Sequence, residues 1–306
     1  MARRRNRGRN VDGILLLDKP IGLTSNRALQ QVKRLFNANK AGHTGSLDPL
    51  ATGMLPICLG EATKVSGFLL EADKRYRAVC RLGVRTDSAD ADGEVIETRP
   101  VPQLTRERVI EVLEGFLGAQ MQTPPMHSAI KQQGVPLYKL AHQGIEVARK
   151  AREVTIHGIE LLRLDGDELT IDVRCSKGTY IRTLAEDIGE ALGCGAHISA
   201  LRRTGVGGLE MASVVDFETL EALAAQGAEA LDALLVPAGD ALPEWPAVRL
   251  SEDASFYLRQ GQPVFVPQLK DRGWVRLYRG DEEFLGLGTV LDDGRVAPKR
   301  LLLPSS

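Results

Sequence analysis

Residues 41–60 carry Gly42, Gly45, Pro49, Gly53, Pro56 and Gly60, and no regular helix tolerates that density of breakers. Inside a helix a glycine costs about 1 kcal/mol and a proline about 3 kcal/mol against alanine. The segment is therefore expected to be largely loop. Pro49 disfavours the helical region for the residue before it, so Asp48 is expected to stand extended, with glycines letting a ligand approach the backbone. On local chemistry alone the same Asp-Pro pair among glycines also makes an ordinary turn.

The flanking sequence supplies regular elements for that loop to join. Residues 12–20 form a short apolar run closed by Lys19-Pro20, a strand, and residues 25–38 place Leu29, Val32, Leu35 and Phe36 on one helical stripe. Over residues 75–82 Tyr76, Ala78, Cys80 and Leu82 alternate with Arg75, Arg77, Val79 and Arg81, the pattern of a strand with a mainly basic outer face. Residues 105–119 have helical spacing, residues 154–164 and 168–175 read as strands paired around Asp165-Gly166, and residues 183–192 read as a helix after Gly178. This mixed order, with no repeating βαβ unit, favours an α+β fold around an antiparallel or mixed sheet. An Ala- and Glu-rich helix over residues 217–235 leads through a Pro-containing linker, 236–246, to short strands at 264–266, 274–278, 284–290 and 296–303, enough for a small barrel-like module.

Composition narrows the function classes. With 306 residues the chain is long enough for two domains, and with 43% of them hydrophobic it can build a sizeable core in at least one. Its apolar runs are far too short to span a bilayer and its first residues lack an apolar core with a small-residue cleavage site, so a cytoplasmic location is expected. Cys58, Cys80, Cys175 and Cys194 form no CxxC pair and sit among apolar neighbours, as buried free thiols do. Net charge is only -1, but residues 1–90 hold 16 Lys and Arg against 8 Asp and Glu, whereas residues 213–260 hold 2 against 9. The first region is a plausible polyanion surface. Its extreme end, with Arg3, Arg4, Arg5, Arg7 and Arg9, reads equally as a phosphate-contacting arm or as a solvated disordered tail.

Several familiar sites lack their residues. There is no GxxxxGK[ST], no GxGxxG opening a helix and no HExxH. Residues 88–99 have Asp90, Asp92 and Gly93 of a calcium loop, but Ser88 stands at the first position and Arg99 at the twelfth, where a bidentate Glu is needed. The segment is read as an acidic turn. His43, His127, His142, His157 and His197 show no ligand spacing, so no metal is expected.

The string Gly42-His43-Thr44-Gly45-Ser46-Leu47-Asp48-Pro49-Leu50-Ala51-Thr52-Gly53 remains, preceded by Leu16-Leu17-Asp18-Lys19-Pro20-Ile21-Gly22-Leu23-Thr24-Ser25 and followed by Lys74-Arg75-Tyr76. With Ser176-Lys177-Gly178-Thr179-Tyr180-Ile181-Arg182-Thr183-Leu184, Gly195-Ala196-His197 and Leu201-Arg202-Arg203, it closely resembles the TruB family of tRNA pseudouridine-55 synthases. The resemblance implies a pseudouridine-synthase catalytic domain over residues 11–235 behind a basic tail at 1–10. It also implies an RNA-binding insertion at 122–152 and a β-rich, PUA-like RNA-binding domain at 247–306.

It implies a chemistry as well. Asp48 matches the family's nucleophile, and conversion of a uridine needs one: the N1–C1′ bond breaks, the base turns while held, and C5 joins C1′. Attack at C1′, a glycal-type elimination and attack at C6 all remain open from sequence. Arg182 matches the arginine that keeps the enclosed carboxylate charged. Tyr76 matches the tyrosine that stacks on the flipped base and is a candidate base for the C5 proton, while Tyr180 and Leu201 match the walls of the uracil pocket. His43 matches the residue that fills the space left when a stacked base is extruded, at a cost of about a few kcal/mol. The implied partner is the TΨC stem-loop of tRNA, with no cofactor, no obligate protein partner and a monomeric enzyme.

Three residues depart from the family pattern. His127 stands where Tyr is more usual, His142 where Arg is common, and Ser46 where Thr is. The first two bear on RNA contacts, not on reaction type. The rivals are a guide-RNA-dependent relative, against which the long insertion argues, and a non-catalytic RNA-binding or RNA-folding protein, against which the Asp48, Tyr76, Tyr180 and Arg182 set argues. A metal-dependent phosphodiesterase is more distant, for want of ligand clusters.

Overall fold

The computed structural model describes residues 8–302 apart from 142 and 268. In chain order it forms β1 (Gly13–Lys19), α1 (Ser25–Leu35), β2 (Ala41–His43), β3 (Thr52–Leu59), α2 (Ser66–Glu71), β4 (Lys74–Leu82), β5 (Val84–Thr86), β6 (Val95–Thr98), α3 (Arg106–Glu114) and β7 (Gly118–Gln122). There follow β8 (Lys131–Gln132), β9 (Val135–Pro136), α4 (Leu137–Ala141), β10 (Arg152–Asp165), β11 (Glu168–Cys175), α5 (Ile181–Ala191), β12 (Ala196–Val206) and β13 (Leu209–Glu210). The remainder is α6 (Phe217–Ala224), α7 (Ala228–Asp232), β14 (Ala247–Leu250), α8 (Glu252–Arg259), β15 (Val264–Phe265), β16 (Gly273–Arg279), β17 (Glu283–Val290) and β18 (Arg295–Leu301). Two compact units emerge, Met1–Asp48 with Met54–Glu71 and Gly207–Ser306, and Pro49–Gly53 with Ala72–Val206.

The second unit is built on a sheet in which β12, β4, β11, β10 and β7 are successive antiparallel neighbours. Thr52 and Gly53 at the start of β3 add a parallel contact to Arg202 and Arg203, which makes the sheet mixed, as the order of elements predicts. Gly53 has φ 95°, and a Cβ there would lie 2.3 Å from the carbonyl oxygen of Arg203, so only glycine fits this crossing. Ala78, Cys80 and Leu82 on one face of β4 are buried beside Leu169, Ile171 and Val173 of β11, and α5, whose Leu184, Ala185 and Ile188 are buried, packs against β12 and β4. Each fully buried aliphatic side chain contributes about 1.5–3 kcal/mol.

The alternation in β4 is as its sequence predicts, but its outer face is less basic than expected. Arg75 pairs with Asp172 at 2.6 Å and Arg81 with Asp167 at 2.6 Å, because antiparallel β11 and its turn bring carboxylates alongside. The four cysteines are buried and free, and burial pushes the Cys58 and Cys80 thiols up to about 12. Among the described residues no helix is long and apolar enough to cross a membrane.

Residues 41–60 correct the expectation of a loop. Ala41–His43 and Thr52–Leu59 are strands, paired antiparallel from Ala41–Leu59 to His43–Ile57. Pro56 lacks an N–H but its carbonyl still accepts from Thr44 N at 3.2 Å. Residues 54–59 are all buried, so the strand carries the continuous apolar signature that the glycines and prolines concealed. Only residues 44–51 remain irregular.

In the first unit Thr24 caps α1 by accepting from Arg27 N, and Ala28, Leu29 and Val32 form its buried stripe. Arg9 makes a bidentate pair with Asp232 and donates to Phe36 O, so this arginine of the basic segment is neutralised within the chain, while residues 1–7 lie outside those described. The helix expected over residues 217–235 is two, α6 and α7, broken at Gly227 with φ 122°. The C-terminal segment is β-rich as expected: a five-stranded sheet in the order β14-β16-β17-β18-β15 closes over Val248, Leu250, Leu258, Val275, Leu277 and Val296. Strand β14 and helix α8, which carry no strong sequence signal, complete it. Phe68 of α2 meets Trp245 and Trp274 edge-on at 4.9 Å, and the two indoles stack at 5.5 Å.

Candidate active site

Asp48 lies half-buried on the irregular connection between β2 and β3. The residue before it is held by a device the sequence does not reveal. Ser25, at the first position of α1, accepts a hydrogen bond from Leu47 N at 2.7 Å and donates one to Leu47 O at 3.1 Å. Leu47 is also buried, so helix α1 fixes the carboxylate-bearing loop from one side while Pro49 restricts it from the other. Replacing the buried Ser25 by alanine strands an amide and a carbonyl, and Ser25→Ala is expected to lower stability by about 1–3 kcal/mol. Urea denaturation measures it, and a loss below about 0.5 kcal/mol would mean that water takes over both bonds. His43 ends β2 opposite Ile57 and is half-buried, so it sits on a strand and not in a free loop.

The second unit gathers the other predicted residues. Tyr76 faces Val173 across β4–β11 and Arg203 across β4–β12, and Leu201 faces Ala78. Tyr76 and Ala78 are two residues apart, so Tyr76 and Leu201 share one face of the sheet. Tyr180 is the residue immediately before α5, and Arg182 is the second residue of that helix.

Arg182 is only 4% exposed, and a buried guanidinium needs acceptors. It donates to Ser88 O at 2.9 Å and to His127 O at 2.6 Å, with Asp90 Oδ2 at 3.4 Å from Nη1. Asp90, 5% exposed, also accepts from Ser88 Oγ at 2.5 Å and Asp92 N at 3.2 Å. Between Ser88 and Asp90 lies Ala89 at φ 61°, a left-handed alanine costing about 1–2 kcal/mol. That strained kink points a carbonyl and a carboxylate at one arginine. The acidic turn that fails as a calcium loop therefore serves a cation of the protein itself. Among the described residues no group of three or more His, Cys, Asp or Glu is placed to hold a metal ion.

The insertion contributes one backbone carbonyl to this cluster. Arg182 meets the His127 carbonyl, a backbone group that a histidine in place of tyrosine keeps. Beyond it the insertion forms the β8–β9 hairpin and α4, exposing Lys131, Tyr138 and Lys139, and His142 lies outside the described residues.

Lys74, two residues before Tyr76, is buried, and burial followed by the charge of Arg203 brings its pKa down to about 8; Cys175 and Asp73 act the other way. Its ammonium donates to Ala72 O at 2.6 Å. Between pH 8 and 10.5 the native state has released this proton and the unfolded chain has not, so its contribution to stability rises with pH across that window. The stability difference between the parent and Lys74→Met is expected to shift in the parent's favour from about pH 8 to 10, read by denaturant titration. A pH-independent difference would place the Lys74 pKa near that of a free lysine.

Comparison with known proteins covers nearly the whole chain. Residues 33–181 match the TruB family pseudouridylate synthase N-terminal domain, residues 182–243 the tRNA pseudouridylate synthase B C-terminal domain, and residues 246–302 the pseudouridine synthase II TruB C-terminal domain. The chain is 61% identical over 303 residues to a tRNA pseudouridine synthase B of Nitrosococcus oceani, covering 99% of this chain and 98% of that one. It is 54% identical over 308 residues to the protein of the same name from Shewanella woodyi, covering 98% and 97%. Among solved structures, a chain of a Cbf5–Nop10–Gar1 complex is 28% identical with TM-score 0.76, covering 96% of this chain and 85% of that one. A chain from an H/ACA ribonucleoprotein bound to a substrate RNA containing 2′-deoxyuridine, at 24% identity and TM-score 0.75 over 100% and 92% of the chains, has the same fold.

Proposed function

This chain belongs to the TruB family of pseudouridylate synthases, and from that premise we propose that it isomerises the uridine at position 55 of the tRNA TΨC loop to pseudouridine, with Asp48 as nucleophile. Membership and the names of its relatives support the enzyme class and the tRNA substrate. The observation that carries the catalytic assignment is the Gly42–Gly53 motif, whose single carboxylate follows a residue latched by Ser25.

The reaction conserves atoms. The N1–C1′ bond breaks, the uracil rotates, C5 bonds to C1′, and the proton displaced from C5 is balanced by one gained at N1. Asp48 stabilises the sugar or base while the glycosidic bond is open. Arg182 keeps that carboxylate in its charged form. Tyr76, Leu201 and Tyr180 enclose the flipped base, Tyr76 being placed on the same sheet face as Leu201 to stack on it and to receive the C5 proton. His43 fills the space the base leaves. Exposed Lys131 and Lys139 on the insertion suit contact with the phosphates of the RNA stem. The enzyme works as a cytoplasmic monomer without a protein partner.

The test is an unmodified tRNA transcript incubated with the pure protein alone and mapped for pseudouridine. Conversion at the single T-loop position is expected. Binding without conversion would favour an RNA-folding role, and conversion only with an added guide RNA would favour the guided mode.

A further inference from the structure

The insertion at residues 122–152 leaves the sheet at Gln122 and returns at Arg152, and these two residues face each other across β7 and β10. Both reach the same neighbour. Gln122, 4% exposed, donates from its amide to Tyr180 O at 3.0 Å and accepts from Tyr180 N at 2.7 Å. Arg152 lays its guanidinium over the Tyr180 ring, 4.9 Å from its centre, and donates to Gly178 O. Tyr180 occupies the N-cap of α5 but offers no capping side chain, and its carbonyl already accepts from Leu184 N. The Gln122 amide thus pairs both backbone groups of the N-cap residue itself, its N–H and, beside Leu184 N, its carbonyl, and so ties down the start of α5. Two residues on, Arg182 is bonded by His127 O, also from the insertion.

We propose that Gln122 and Arg152 are positioning residues that set the place of Tyr180 and, through the start of α5, of Arg182. The segment that grips RNA and the pocket that holds the base are thereby registered by one pair of roots. This rests on the proposed roles of Tyr180 and Arg182 in the reaction. A glutamine bonded through both its nitrogen and its oxygen to one backbone residue, and a cation stacked on that residue's ring, tolerate little movement. A misplacement of about 1 Å at a reacting group is enough to cost about a hundredfold in rate.

The test is single-turnover conversion of a tRNA transcript at saturating enzyme, beside equilibrium tRNA binding and a thermal melt. Gln122→Met and Arg152→Gln are expected to slow conversion by about tenfold to a hundredfold while tRNA affinity stays within about threefold. Gln122→Glu, which can accept from Tyr180 N but not donate to Tyr180 O, should fall between parent and Gln122→Met. Arg152→Lys, which keeps the charge but loses the flat face, should recover little. Bound tRNA should also slow amide exchange over residues 178–184 in the parent and not in Gln122→Met. If the folded variants convert at the parental rate, with only the melting temperature lowered, the pair is structural and the proposal is overturned. Should Gln122→Met not fold, Gln122→Glu and the half-buried Arg152→Gln answer the same question by the same criterion. Asp48→Asn in the same assay separates the two readings: parental conversion by that variant removes the catalytic assignment, whereas its inactivity beside fully active Gln122 and Arg152 variants removes only this one.

Discussion

Asp48→Asn is expected to abolish pseudouridine formation, with a rate loss on the order of 10⁴-fold or more, while the protein stays folded and still binds tRNA. The amide has the shape of the carboxylate and lacks its charge and nucleophilicity. The loop that carries it is held by contacts the substitution does not touch, namely Ser25 on both backbone groups of Leu47 and the restriction imposed by Pro49. Loss of rate with an unchanged melting temperature and tRNA affinity would place the defect in the chemical step. Single-turnover conversion by a deep excess of variant enzyme is the decisive measurement, since slow product release cannot disguise it. A variant within about tenfold of the parent would mean that the carboxylate is not the covalent catalyst.

Arg182→Met is expected to damage both folding and turnover, which sets it apart from the first variant. Removing one member of a buried pair leaves the other charged and enclosed, at a cost of about 3–5 kcal/mol. Here the group left behind is Asp90, 5% exposed, and the carbonyls of Ser88 and His127 lose their donor as well. Arg182→Lys should fare only partly better, because one ammonium cannot span acceptors served by two Nη atoms. For either variant we expect conversion to drop by about a hundredfold or more. A double variant, Arg182→Met with Asp90→Ala, should be more stable than Arg182→Met alone while remaining inactive, since it removes the orphaned charge without restoring the guanidinium. Equal stability of the single and double variants would show that Asp90 escapes to solvent or takes up a proton when its partner goes.

How much of this was legible in advance depends on the range of the interaction involved. Alternation in β4 and the turn at Asp165-Gly166 were readable because side-chain direction and turn chemistry are set by near neighbours. Strand β3 was missed because its partners β1, β2 and β12 compensate for Gly53 and Pro56, and no local rule anticipates that. The break at Gly227 was hidden by strong alanine and glutamate helix propensity on both sides.

The site divides the same way. Asp48, Tyr76, Tyr180, Leu201 and Arg182 could be singled out because the ordered motifs resemble a family, though each alone passes for a turn, a strand face or a core residue. Ser25 and Gln122 could not, since each acts on a backbone distant in the chain, 22 and 58 residues away. Asp90 stood in a recognisable acidic turn whose purpose was invisible until Arg182 arrived from another element.

The amino-acid order by itself determined the class of fold, the family and the carboxylate on which the chemistry is proposed to turn, because composition, periodicity and motif are properties of neighbouring residues. Only the tertiary structure decided which carbonyls surround the buried guanidinium and which side chains latch the two segments that carry Asp48 and Tyr180. Hydrogen bonds of that kind depend on positions fixed to within a few tenths of an ångström, and such positions exist only once the sheet has brought distant strands into register.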